Sequence, residues 1–268
     1  MADSIFTPRA DGRYEPTEHA RGPWDPAALH GGAPAALIAS AFERIPLAGT
    51  GEPGTELSIA RLTFEFLRPI PFAPLELSTR VVRTGKRVQE LAAELHAGDQ
   101  LICRASALRV QAVPTDLPAG TLPEQETMQP PEQGKPIPFA LNPEGGASFA
   151  TTGMEMRWFS DPWELGPGLV WMRLRHPLLP GEEPSPLARL AATADFGNGV
   201  SAALPFDKYL FINADLTIHL QRPPRGEWIG LDARTLLHGG GTGLSESVLH
   251  DESGPVGRAF QTLVVQPR

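Results

Sequence analysis

Two stretches of the chain, LTFEFLRP at 62–69 and LTIHLQRP at 216–223, are versions of one another at an offset of 216 − 62 = 154. Continued without gaps, the alignment pairs Leu77 with Leu231, Arg80 with Arg234 and Gly85 with Gly239. It also pairs Leu95-His96 with Leu249-His250 and Arg104-Ala105 with Arg258-Ala259. Positions 62 to 110 contain 12 identities in 49, where unrelated sequences of average usage would share roughly 3. An internal repeat decides architecture before any local motif does. Two copies are too few for a solenoid, so the expectation is two fused copies of one small α+β unit.

Both copies carry the same order of elements. Short strands come first, from SIFTP and RYEPTEH in one copy and from MEMRW and GLVWMRLRH in the other. A helix follows, GAPAALIASAFERI in the first copy and a shorter one around FGNGVSAAL in the second. Long strands rich in β-branched residues and bounded by turn residues close each unit. Between the copies, 112–150 is dense in proline, glycine and charge without a usable period, and reads as a linker. The expected units are therefore 1–111 and 151–268. The first helix is apolar on nearly every side until Glu43 and Arg44, which marks it as buried. Pro34 suits its first turn. A long antiparallel sheet curved around a buried helix satisfies this order.

Composition narrows the function. A net charge of −8 argues against a nucleic-acid-coating surface. No apolar run is long enough to span a bilayer, and the start MADSIFTPRADGR has no signal-peptide pattern. The single cysteine, Cys103, excludes an internal disulfide or a cysteine metal cluster and fits a cytoplasmic protein.

This pattern resembles the tandem, or double, hotdog acyl-CoA thioesterases of the thioesterase II type. The stretch HGGAPAALIASAFERI (30–45) is similar to the group's N-terminal signature. In the second copy, ATADFGN (192–198), NADLTIHLQRP (213–223) and RAFQTLVVQ (258–266) are similar to its three active-site segments. The resemblance implies an aspartate, a small hydroxyl residue and a glutamine around a hydrolytic water. These positions fall on Asp195, Asn213 and Gln261, with Asn213 departing from the usual threonine or serine. It also implies an acyl-CoA substrate, lipid metabolism and no cofactor.

The repeat adds its own evidence. Asn213 stands where the first copy has Ile59, and Gln261 where it has Ala107. Polar groups thus replace apolar ones in the second copy only, pointing to one active site per chain. His30 and Asp195 are expected at equivalent helix mouths. Asp195 is read as a general base or water anchor, with a helix N-cap as its alternative. His30, Gly31, Gly32 and Gly197 are the expected substrate-binding positions, His30 chiefly as the structural twin of Asp195.

Other signals carry less. His238-Gly239-Gly240-Gly241 is like a lipase oxyanion loop, but no G-x-S-x-G accompanies it, and the repeat aligns it with a hairpin turn. His96 and His250 read as paired surface histidines beside turns. No histidine spacing matches a metal site, so no metal is expected. Arg68 and Arg222 either fix strand ends or contact coenzyme A phosphates, the structural role being preferred. The expected function is acyl-CoA thioester hydrolysis. The alternatives are a hotdog acyl-CoA hydratase or dehydratase, which would use an Asp-His pair, and a silent acyl-CoA binding module. Pairing into a homodimer is compatible with either.

Overall fold

The structure, a computed structural model, describes residues 3–23, 25–46, 56–121, 127–139 and 146–268. Strands β1 (Phe6–Pro8) and β2 (Tyr14–Pro16) form a small hairpin sheet. Helix α1 (Gly32–Arg44) follows, then β3 (Glu56–Phe66), β4 (Glu76–Arg83), β5 (Val88–Ala97) and β6 (Gln100–Ala112). The second half contains β7 (Met154–Trp158), β8 (Gly168–Leu174), α2 (Pro186–Ala194) and the single turn α3 (Gly197–Val200). It closes with β9 (Tyr209–Asn213), β10 (Asp215–Leu220), β11 (Ile229–His238), β12 (Thr242–Asp251) and β13 (Gly254–Pro267).

The repeat is structural. Adding 154 to β4, β5 and β6 gives 230–237, 242–251 and 254–266, which are β11, β12 and β13 to within a residue or two. The irregularities repeat as well. The register shifts at Leu95/His96 between β5 and β6 and at Leu249/His250 between β12 and β13. The matched Leu-His pair therefore marks a β-bulge that both copies share. Likewise β3 bulges between Ile59 and Arg61, and the equivalent Ala214 is the break between β9 and β10.

All strands but β1 and β2 join one antiparallel sheet, ordered β4-β5-β6-β3-β10-β13-β12-β11-β8-β7, with β9 also on β13. The halves meet where β3 pairs with β10, and there Thr63 lies opposite Thr217. Since 217 − 63 = 154, each threonine faces its own repeat partner. The pseudo-twofold relating the units thus runs between them, and the sheet continues from one unit into the other.

The sheet encloses α1 and α2. Nine residues of α1, including Leu37, Ile38 and Phe42, are buried. Each large apolar side chain removed from water contributes about 1.5–3 kcal/mol. The helix stops at Ile45, which is extended (φ −67°, ψ 122°), because Pro46 disfavours helical geometry in the residue before it. The Arg109 guanidinium, itself buried, donates to the carbonyls of Phe42 and Ile45 at 2.6 and 2.8 Å.

The second helix departs from expectation. It spans 186–194, ahead of the FGNGVSAAL segment, of which only the α3 turn is helical. Its start signal is a serine cap followed by proline: the Ser185 hydroxyl accepts from the Ala188 N–H at 3.1 Å and Pro186 occupies the first helical position. The two helices run antiparallel. At one end Gly32 approaches the carbonyl of Ala192, and at the other Arg44 pairs with Glu182 and Ser185 donates to Glu43.

Parts of the expected linker, 122–126 and 140–145, lie outside the described residues. The rest is held against the second unit. Trp171 Nε1 donates to the Gln129 carbonyl (2.7 Å), Trp158 Nε1 donates to that of Ile137 (3.1 Å), and Phe139 is buried. Residues Phe149–Gly153 form one wide helical turn capped by Ser148. The histidines at the matched bulges also differ: His250 is buried with its Nδ1 unpartnered, not a surface residue. The expected glycine turn at 239–241 does join β11 to β12, Gly241 taking the left-handed φ of +84°. Among the described residues no helix is long and apolar enough to cross a membrane.

Candidate active site

Asp195 closes α2 rather than opening a helix, so it is not an N-cap. Its neighbour at the site is the other unit's helix. Because α1 and α2 are antiparallel, the end of α2 meets the start of α1, and Gly31, the residue capping α1, lies against the Asp195 carboxylate. A Cβ on Gly31 would stand 2.7 Å from Asp195 Oδ2. The first N–H groups of a helix have no intrahelical acceptor and carry partial positive charge. The mouth of α1 therefore faces a carboxylate buried to 4% exposure.

His30 comes in with α1. Its Nδ1 is 3.2 Å from Asp195 Oδ2 and 3.1 Å from the Gly32 N–H. One ring nitrogen cannot serve both contacts at once. Protonated, Nδ1 donates to Asp195; unprotonated, it accepts from Gly32. The ring is stacked on Phe196 at 4.2 Å between centroids and packed on Phe149 at 5.2 Å. Phe149 comes from the segment expected to be linker, and no sequence signal ties it to the site.

Two side-chain amides hold the other carboxylate oxygen. Asn213 Nδ2 donates to Asp195 Oδ1 at 2.8 Å and contacts the Asp215 carbonyl at 3.2 Å. Asn213 reaches Asp195 from the last residue of β9, just before the strand break inherited from the repeat. Its Oδ1 accepts no hydrogen bond from the described residues. Gln261 on β13 is 1% exposed. Its Nε2 donates to the Asp195 carbonyl (3.1 Å) and lies 3.4 Å from Asp195 Oδ1, while its Oε1 accepts from the Asn198 N–H at 2.9 Å. Gln261 thus clamps the bend between α2 and α3. Gly197 leaves room for that amide: a Cβ there would come 2.7 Å from Gln261 Oε1 and push it aside.

A cavity of about 530 Å³ opens onto these groups. Asp195, Asn213, His30 and Gly31 line it, together with apolar Leu29, Phe66, Ile70 and Leu210. Gln261, Gly32 and Gly197 lie behind the lining and do not contact the cavity. Asn198 does line it, anchored by its Nδ2 to the Phe211 carbonyl at 2.9 Å. Its position beside Asp195 in ADFGN was the available sequence signal. Leu67, Ile212 and Val264 form a half-exposed apolar rim, and Arg68 also lines the opening.

The two matched arginines have parted company. Arg222 forms a two-pronged ion pair with Asp251 (2.5 and 2.7 Å) and donates to the Gly254 carbonyl at 2.9 Å. It is structural, as expected. In the first copy the residue equivalent to Asp251 is Ala97. Arg68 therefore lacks that carboxylate and stands exposed at the cavity mouth.

A sheet wrapped around a helix, duplicated and fused edge to edge, with a polar cluster where the helices meet, is the double-hotdog architecture. The acyl-CoA thioesterase N-terminal domain matches residues 20–110 and the C-terminal domain matches 127–265. The chain belongs to this acyl-CoA thioesterase family. Among solved structures, it is similar to a hotdog-fold protein of unknown function from Alicyclobacillus acidocaldarius (16% identity, TM-score 0.70, covering 97% of this chain and 95% of that one). It is also similar to a proposed thioesterase II from Thermobifida fusca YX (20% identity, TM-score 0.69, 97% and 95% covered). A third is the acyl-CoA thioesterase II TesB2 from Mycobacterium marinum (17% identity, TM-score 0.64, 90% of each chain). At these identities the likeness is one of fold. No curated protein matches the chain.

Proposed function

We propose that the protein hydrolyses a fatty or small acyl-CoA thioester using a water held at Asp195. The observation that carries this reading is the 2.8 Å hydrogen bond from Asn213 to Asp195 at the wall of an apolar cavity. Asn213 and Gln261 occupy Oδ1 and leave Oδ2 toward the cavity side, where His30 and Gly31 stand. The attacking water loses a proton to the Asp195 carboxylate as its oxygen bonds to the thioester carbon. The resulting oxyanion is stabilised at the positive end of α1, where Gly31 lines the cavity. Collapse breaks the C–S bond, and the departing thiolate takes the proton, giving a carboxylic acid and coenzyme A. No covalent acyl-enzyme is required. Asn213 takes the place of the family's hydroxyl residue by orienting Asp195, and its free Oδ1 can accept from the water. Gln261 acts through Asp195 and is a positioning residue.

The test is a panel of acyl-CoA substrates of increasing chain length, assayed with native protein and Asp195→Asn. The expected result is turnover by the native chain and a loss on the order of 10²–10⁴-fold in the variant. Unchanged turnover in the variant would refute the assignment. Binding without turnover by the native chain would favour the silent module.

The His30–Asp195 contact favours one second reading, hydration or dehydration of an acyl-CoA. The sequence places no histidine near Asp195, but the other unit supplies one at 3.2 Å. An enoyl-CoA hydration assay run beside the hydrolysis panel separates the two, because only hydration consumes the double bond while leaving the thioester intact.

A further inference from the structure

A second cluster of ligating side chains lies apart from the cavity. Asp3 precedes β1, His19 lies in a turn of 3-10 helix at Glu18–Ala20, and His176 follows β8. One ligand atom from each lies within 4.8 Å of the other two. The two imidazoles are stacked, 4.1 Å between centroids and 22° from parallel. They are partly buried and Asp3 is exposed.

Thr152 orients the His19 ring. Its hydroxyl donates to the Ser148 carbonyl at 3.0 Å, so its oxygen accepts from His19 Nδ1 at 2.8 Å. That assigns the His19 proton to Nδ1 and leaves a lone pair on Nε2, the tautomer a metal requires. Metal-ligating histidines are held in this way, by an acceptor for the nitrogen that does not bind the ion.

We propose that Asp3, His19 and His176 bind one divalent cation of the zinc class. Two imidazoles and a carboxylate are a ligand set that zinc accepts, with water completing the tetrahedron. Ligand atoms on such an ion lie about 3.3 Å apart, given metal–ligand distances of about 2.0–2.1 Å. Imidazole lone pairs lie in the ring planes, so binding requires the two stacked rings to turn out of parallel toward one point, together with rotation of the exposed Asp3 side chain. The site escapes motif searches because its ligands lie at 3, 19 and 176, two from the first unit and one from the second. The bound ion would fasten the amino-terminal segment to the second unit, beside the bonds from Ile5 N–H to the Pro177 carbonyl and Phe6 N–H to the Leu178 carbonyl, both 2.9 Å.

The test uses full-length, tag-free protein stripped with a chelator and titrated with Zn²⁺ alone by calorimetry. Cobalt(II) absorption serves as a second readout of the ligand field. The expected result is one Zn²⁺ per chain, lost in His19→Asn/His176→Asn. Asp3→Asn, which leaves both rings in place, should weaken binding about 10-fold or more. No saturable Zn²⁺ binding by the native chain would overturn the proposal, as would native affinity in the double variant. If the double variant does not fold, native affinity in Asp3→Asn overturns the three-ligand site.

Discussion

His30 Nδ1 lies 3.2 Å from Asp195 Oδ2, though 195 − 30 = 165 residues separate them. Each comes from a different copy of the repeat, and the antiparallel packing of α1 on α2 brings them together. Copies that began alike have thus contributed unlike groups to a single site. Replacing His30 with Ala is expected to lower kcat/KM on the accepted acyl-CoA by about 10²-fold. Steady-state kinetics with a parallel thermal melt measures it, and an unaltered rate in a folded variant would remove His30 from the chemistry.

Arg68 offers a cation at the cavity mouth without the carboxylate that occupies its twin. Arg68→Ala is expected to raise KM for a coenzyme A thioester and leave KM for the matching pantetheine thioester, which lacks the nucleotide phosphates, nearly unchanged. Equal effects on both substrates would count against phosphate recognition.

Gly32 carries the helix contact on which the site depends. A Cβ there would stand 2.5 Å from the Ala192 carbonyl oxygen, a backbone atom that cannot swing aside. Gly32→Ala should cost about 1–3 kcal/mol by overpacking, read as a lower urea midpoint. Full retention of stability would mean that the helices can separate without penalty.

Asp251 links stability to acid. Burial by itself would raise its carboxyl, but hydrogen bonds from Arg222 and from the Ser253 and Arg225 N–H groups hold it below the ordinary 3.8. A depressed carboxyl contributes stability at pH values above its unfolded pKa and loses it as pH falls through the lower folded value. Native protein should therefore weaken below about pH 4. Arg222→Ala strands a carboxylate whose side chain is 0% exposed and should cost about 3 kcal/mol at neutral pH. The variant should then gain, relative to native, on acidification. Urea midpoints at pH 7 and pH 3.5 would expose a wrong sign.

Cys103 should be inert in the native protein. Burial chiefly, with the nearby Glu65 and Asp195 carboxylates adding to it, pushes its thiol up to about 12, so thiolate is scarce at pH 8. Iodoacetamide is expected to label it only after unfolding in urea. Fast labelling of folded protein would show that this strand opens readily.

Much of this molecule was legible in one dimension. The 154-residue offset set the tandem plan and the matched strands, because residues that satisfy one fold twice leave the same pattern twice. The first helix, apolar on nearly every side until Glu43 and Arg44, announced its own burial. The substitutions of Asn213 for Ile59 and Gln261 for Ala107 marked the second copy as the polar one, and both amides do meet Asp195. The second helix begins at the Ser-Pro start at 185–186, ahead of FGNGVSAAL, whose small and apolar residues imitate a helix in sequence but form only a single turn. That shift turned Asp195 from the opening of a helix into its close.

What only the tertiary structure decided were the pairings between distant segments. Local sequence reports propensity and periodicity, which act over a few residues, whereas a site joins whatever the packing brings together. The meeting of His30 with Asp195, the aromatic cover from Phe149, the separation of Arg68 from its twin and the convergence of Asp3, His19 and His176 all depend on how two helices and one continuous sheet close around a common core. Residue identities specified which groups were available, and the antiparallel helices and the shared sheet edge determined which of them touch.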